Sequence, residues 1–79
     1  MKHINTLKKI FIASDHAGFN LKLKIIKNFS KKFNLSDLGT YSSNKSVNYP
    51  DFAHKVCKNV KKNKSYIGIL ICGSGMGMA

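Results

Sequence analysis

The sequence has no arginine, no glutamate and no tryptophan. Its acids are Asp15, Asp37 and Asp51, set against 14 lysines, for a formal net charge of +11. Such an excess can serve a nucleic-acid or membrane partner. Two features argue against both. The lysines are scattered as singles and pairs rather than gathered into a block. The planar arginine fork that reads phosphate and guanine bidentately is missing. A chain rich in Lys, Asn, Ile, Phe and Tyr and empty of Arg is what an AT-rich genome encodes. Cysteine is scarce as well. Cys57 and Cys72 fit no zinc-ligand spacing. One falls in an expected helix and the other at an expected strand end, so no disulfide is expected, and reduced thiols fit the cytosol. No apolar run approaches the ~18 residues of a membrane span. The lysine-bearing start is not followed by a signal-peptide apolar segment before Ser14 and Asp15. The expectation is a soluble cytoplasmic protein.

What is present is globular in character. Hydrophobic residues make up 43% of 79 residues, enough for one small domain. A domain of this size buries only roughly 60% of its unfolded surface, so its stability is marginal.

Along the chain, Ile10–Ala13 is a short β-prone run that stops at Ser14-Asp15-His16, with Gly18 close behind. That pattern is a buried strand entering a turn. Leu21, Ile25, Phe29 and Phe33 then recur every four residues with Ile26 beside them, and Lys22, Lys24, Lys27, Lys31 and Lys32 fill the other positions. The pattern predicts an amphipathic helix with a solvated lysine face. Residues 33–38 form a weaker strand, and 42–48 a polar loop. Pro50 is placed to open a second helix, with Asp51 in its first turn. Phe52, Ala53, Val56, Cys57 and Val60 form that helix's apolar stripe. Tyr66–Cys72 is continuously apolar, as a central parallel strand covered on both faces would be. Strand, helix, strand, helix, strand make a βαβαβ unit with parallel strands. Ligands bind such sheets at the carboxyl ends of the strands.

Both conspicuous motifs fall at those ends. Cys72-Gly73-Ser74-Gly75-Met76-Gly77 is neither a P-loop nor a dinucleotide fingerprint, because the glycine spacing fits neither. Its alternating glycines can aim successive N–H groups into one anion-binding concavity, or simply form a tight turn. Cys72 beside them is either an activated thiol or an inert buried one. Asp15 and His16 are either ligand contacts or a helix cap with a solvated imidazole. Tyr49 is either a ligand contact or a packing lid. His3 and His54 are expected to be uninvolved and Cys57 to be core.

Together these residues resemble the ribose-5-phosphate isomerase B family, whose superfamily includes the galactose-6-phosphate isomerase subunits. The resemblance rests on 14–19 (Ser-Asp-His-Ala-Gly-Phe), 37–41 (Asp-Leu-Gly-Thr-Tyr), 48–53 (Asn-Tyr-Pro-Asp-Phe-Ala) and 68–77, ending Cys-Gly-Ser-Gly-Met-Gly. Each motif is weak alone; four in order are highly specific. The resemblance implies a Rossmann-like αβα sandwich with a parallel sheet, of which residues 1–79 would be the N-terminal part, a βαβαβ half with three strands and two helices. It implies interconversion of D-ribose 5-phosphate and D-ribulose 5-phosphate through an enediolate, in the pentose phosphate pathway, with no cofactor and no metal.

By match to those motifs, Cys72 would be the base that moves the proton, and Ser74 with the amides of Gly73, Gly75, Met76 and Gly77 would hold the enediolate oxygen. Asp15 would orient sugar hydroxyls, His16 would serve the phosphate end and Tyr49 would line the pocket. Some members use a Glu just past the glycines as base; Met78 occupies that region here, which favours the cysteine type. The partners implied are a phosphorylated pentose and either a second copy or a complementing C-terminal half, since the ring-opening histidine and phosphate-binding arginines would lie in that half. The helix after the glycines would be absent, and one edge of the Tyr66–Cys72 strand would stand unpaired. A galactose-6-phosphate isomerase-type subunit and a small basic nucleic-acid-binding module remain the alternatives.

Overall fold

The computed structural model describes residues 7–42, 49–73 and 75–78. Strand β1 (Lys8–Ser14) leads to helix α1 (Phe19–Phe29), strand β2 (Phe33–Asp37), helix α2 (Tyr49–Val60), strand β3 (Ile67–Cys72) and strand β4 (Gly75–Met78). The sheet order is β2-β1-β3-β4. β1 is parallel to both β2 and β3, with Ile10 level with Leu35 and Ile67. The expected βαβαβ unit is therefore present, and the carboxyl ends of its three parallel strands lie at one edge of the sheet.

Alternation along β1 sends successive side chains to opposite faces. Phe11 and Ala13 join Leu70 and the fully buried Val56 in a core beneath α2, with Phe52, Ala53, Val60, Leu38 and Tyr66 packed around it. The Phe11 and Tyr66 rings meet edge-on, with centroids 5.4 Å apart. The α2 stripe thus falls as its spacing requires, except for Cys57, which is exposed rather than core. Its neighbours Val56 and Val60 set the inward direction, and Cys57 is rotated past it. On the opposite face Ile12 and Ile71 are buried beneath α1.

Three features differ from the sequence-based expectation. The α1 stripe is rotated: Leu21, Leu23 and Phe29 are exposed, and Lys22 is fully buried. The helix presents Lys22, Ile25 and Ile26 to the protein, spaced i, i+3 and i+4. Phe33, expected both at the end of that stripe and at the head of a strand over 33–38, takes only the second place and opens β2. Finally, the outer edge of β3 is not bare. Gly75–Met78 folds back as an antiparallel strand, pairing Cys72 with Gly75 and Ile69 with Met78. Glycine has little intrinsic preference for strands, so nothing local announced this one.

Candidate functional site at the carboxyl ends of the parallel strands

The chain leaves β1 pinned on both sides. Ser14 is buried; its N–H donates to the Gly39 carbonyl at 2.8 Å, and its carbonyl accepts from the Thr40 N–H at 2.9 Å. The Asp15 N–H then donates to the Ile71 carbonyl at 3.1 Å. The Asp15 carboxylate is thereby held between two segments distant in sequence. Its Oδ1 accepts the Gly18 N–H at 2.8 Å, at the start of α1. Its Oδ2 accepts the Gly73 N–H at 3.3 Å, directly after Cys72. Asp15 therefore tethers the first glycine of the Cys72 motif while also closing the turn into α1. The helix N-cap is Gly18 rather than Asp15, so the Asp15 carboxylate binds the cap residue's own N–H instead of capping the helix.

Two glycines make this closeness possible. A Cβ on Gly18 would lie 2.8 Å from the Ile71 carbonyl oxygen, a contact real side chains do not make. Only a residue without Cβ lets the start of α1 rest on β3 here. A Cβ on Gly73 would meet the Ala17 Cβ at 3.0 Å, so the two loops touch. His16 lies in the first of them. It is half-buried, and its Nδ1 is shielded from solvent without a hydrogen-bond partner among the described residues. The buried Ser14 hydroxyl is unpartnered in the same sense. Buried polar groups are ordinarily satisfied, so these two atoms are exceptions at this edge of the sheet.

Cys72 ends β3, half-buried, and neither cysteine is in a disulfide. Asp15, His16, Cys72 and Gly73 are thus brought to one edge. Gly75, Met76 and Gly77 lie in β4, with Gly77 opposite Leu70 and Met76 opposite Ile71. The expectation of an open glycine nest over 73–77 needs correcting accordingly: the backbone of Gly75–Gly77 runs in a ladder with β3. An anion nest built from those amides would require that ladder to open. Ser74 lies outside the described residues, as does His3. Tyr49 is the first residue of α2. His54 is exposed, as expected of a solvated helical residue.

Sequence reasoning missed Lys22. Its Nζ donates to Asp37 Oδ1 at 2.7 Å and to the Thr40 carbonyl. The rings of Phe19 and Tyr41 lie over it, each centroid 5.3 Å from Nζ. Asp37 Oδ1 also accepts the Gly39 N–H at 2.9 Å. A buried ammonium is tolerable only when paired and hydrogen-bonded, as this one is. The network fixes residues 37–40, and these in turn hold Ser14. The sequence carried no usable signal for it: the inward face 22-25-26 emerges only in the fold, and the residue type of Lys22 pointed outward.

This is an α/β sheet whose polar, partly unsatisfied groups gather at the carboxyl ends of its parallel strands, the usual ligand edge of such folds. Residues 10–79 match the family model described as Ribose/Galactose Isomerase, and the chain belongs to that family. It is 43% identical over 72 residues to a ribose-5-phosphate isomerase B of Listeria innocua, covering 90% of this chain and 48% of that protein. The solved Thermotoga maritima ribose-5-phosphate isomerase B superposes with a TM-score of 0.77 at 46% identity, over 87% of this chain and 47% of that one. The Mycoplasma genitalium ribose-5-phosphate isomerase B, solved with bound ribulose 5-phosphate, gives a TM-score of 0.75 at 48% identity, over 81% of this chain and 43% of that one. The chain spans about half the length of the curated relatives it matches. Among the described residues no helix is long and apolar enough to cross a membrane, and no group of His, Cys, Asp and Glu could hold a metal ion.

Proposed function

We propose that this chain supplies the proton-transfer half of an aldose-ketose isomerase site acting on ribose 5-phosphate and ribulose 5-phosphate, and that it does not turn over substrate by itself. The observation that carries the reading is the Asp15 carboxylate, which draws the Gly73 amide and the Cys72 strand end against the loop that bears His16.

Moving a proton between the two carbons of an enediol needs a base beside the carbon and donors aimed at the oxygen where charge develops. Cys72 is the base in this reading. Ser74 and the backbone amides of Gly73, Gly75, Met76 and Gly77 receive the oxyanion in this reading, which requires the Gly75–Gly77 amides to leave the β3 ladder. Asp15 accepts from sugar hydroxyls. His16, whose Nδ1 has no partner among the described residues, serves the phosphate end in this reading, and Tyr49, the first residue of α2, lines the pocket. No cofactor enters the reaction. The half of the fold beyond the match supplies the remaining groups, whether from a complementing polypeptide or within a homodimer, in the cytoplasm and in the pentose phosphate pathway.

The test is an isomerase assay on the purified chain, alone and mixed with the C-terminal half of the Thermotoga maritima relative. The chain alone is expected to be inactive and the mixture active. Cys72→Ala is expected to lower the mixture's turnover by on the order of a hundredfold or more. Turnover by the chain alone would refute the half-site reading, and turnover that survives Cys72→Ala would refute the role given to the thiol.

A further inference from the structure

The strand topology sorts the charges of this molecule. The three parallel strands begin at one edge of the sheet, and the turns that enter them lie there too. Lys8 and Lys9 open β1, and Lys31 and Lys32 fill the turn into β2. Lys61, Lys62 and Lys64 occupy the turn into β3. These seven are half of the 14 lysines, and all but the half-buried Lys9 are exposed. The acids go the other way. Asp15 follows β1, Asp37 ends β2 and Asp51 lies in the first turn of α2, all toward the carboxyl edge. The chain has no other acid, so the amino edge carries none.

Lysines that are scattered along the sequence are thus gathered by the fold. Neighbouring strands lie about 4.8 Å apart, so the three strand starts fall within about 10 Å. Helix ends account for little of this. Each helix C-terminus carries roughly half a negative charge, so the two amount to about one, far short of what the lysines bring. Lys9 donates to Ser36 Oγ at 2.6 Å and Lys62 to Asn59 Oδ1 at 3.3 Å, both neutral acceptors. The ion pair formed among the described residues, Lys22 with Asp37, lies outside this edge.

A shallow track runs between the two lysine-bearing turns. Two depressions of about 400 and 520 Å³ share Leu7 and Asn34 and so join across the edge. Asn34, Asn63 and Ser65 supply amide and hydroxyl groups to it, and Phe33 and Tyr66 supply rings. A bilayer surface is flat and is met by an amphipathic face; a concave track of amides and rings fits a chain instead. A single strand of nucleic acid combines closely spaced charges with base faces that rest on aromatic rings. The lack of arginine removes bidentate reading of bases but not the holding of phosphates, which lysine does as a point charge.

We infer that the amino edge of the sheet binds single-stranded nucleic acid through its phosphates, without sequence preference. This edge lies opposite Asp15, His16 and Cys72, and the inference does not rest on the isomerase reading.

The test titrates the full chain into a labelled oligouridylate of about 20 nucleotides and follows its anisotropy. With about five phosphates neutralised, log affinity is expected to fall against log salt with a slope of about −3.5, a loss of about a hundredfold between about 50 and 200 mM. Lys31→Gln combined with Lys64→Gln is expected to reduce that slope by about 1.4 and to weaken binding by on the order of tenfold. Lys24→Gln combined with Lys55→Gln removes the same charge from the middle of α1 and α2, and is expected to bind as wild type. All four residues are exposed, and circular dichroism establishes that both variants are folded. Absence of binding at low salt, a flat salt dependence, or equal losses in the two double variants would each overturn the inference. Tighter binding to phosphatidylserine vesicles or to polyglutamate would overturn it too, and would assign the edge to a membrane or to an acidic protein.

Discussion

The two faces of the sheet are built from the same kinds of residue and reach opposite ends. Beneath α2, Phe11, Ala13, Leu70 and Val56 close on one another, and the helix brings its own apolar stripe to the right place. Beneath α1, the helix buries an ammonium near the site edge and leaves an apolar groove beside it. The contrast separates two tasks. The α2 face is a core that the chain completes by itself. The α1 face holds the carboxyl edge of the sheet in position with polar bonds, and its apolar remainder lines an open groove among the described residues.

The sharpest way to break this comparison is to make one kind of substitution on both faces. Val56→Asp puts a carboxylate into a fully buried, apolar position. An unpaired charge there costs several kcal/mol, a large part of the roughly 4–12 kcal/mol that about 0.05–0.15 kcal/mol per residue gives for 79 residues. The expected outcome is loss of the folded state, seen as loss of the far-UV dichroism transition. A cooperative transition with an unaltered midpoint would mean that the α2 face is not the principal core.

A smaller effect is expected at the polar end of the α1 face. Asp37→Asn leaves the Lys22 ammonium buried without its counter-charge. Removing one partner of a buried pair costs roughly 3–5 kcal/mol, toward the lower end here because the Asp37 side chain is 29% exposed. Lys22→Met removes the buried charge instead and keeps an apolar stem of similar length. It is expected to cost less than Asp37→Asn in urea denaturation, because it strands only a partly solvated carboxylate. The reverse order would show that the ammonium is solvated through a route the structure does not contain. At the apolar end, Phe29→Asp changes a residue that is 41% exposed. In the chain alone it is expected to shift stability by only about 0.5 kcal/mol, where Val56→Asp abolishes folding.

The legibility of the sequence divides along the same line. The α2 face could be read because residue type and position agree there: Pro50 and Asp51 open the helix, and Phe52, Ala53, Val56 and Val60 recur at helical spacing. The continuous run at Tyr66–Cys72 identified the strand found at Ile67–Cys72 for the same reason. The α1 face could not be read, because type and position conflict. Leu21, Ile25 and Phe29 looked like the inward stripe, yet the tertiary constraint is the close approach of Gly18 to Ile71. That contact rotates the helix so that Lys22 points in and Leu21 out.

At the carboxyl edge, the motif residues Asp15, His16 and Cys72 could be placed together from the strand pattern alone, and the fold brings them to one edge. The tether from Asp15 to Gly73 was not, because it joins residues 58 positions apart. Lys22 was hidden among 14 lysines of otherwise uniform appearance. The β4 ladder was hidden because its glycines favour no conformation, and pairing is decided by the neighbouring edge.

In the folded molecule the ladder has one definite effect: β3, a continuously apolar strand, presents no open backbone edge along Ile69–Cys72, so edge-to-edge pairing with another molecule is blocked there.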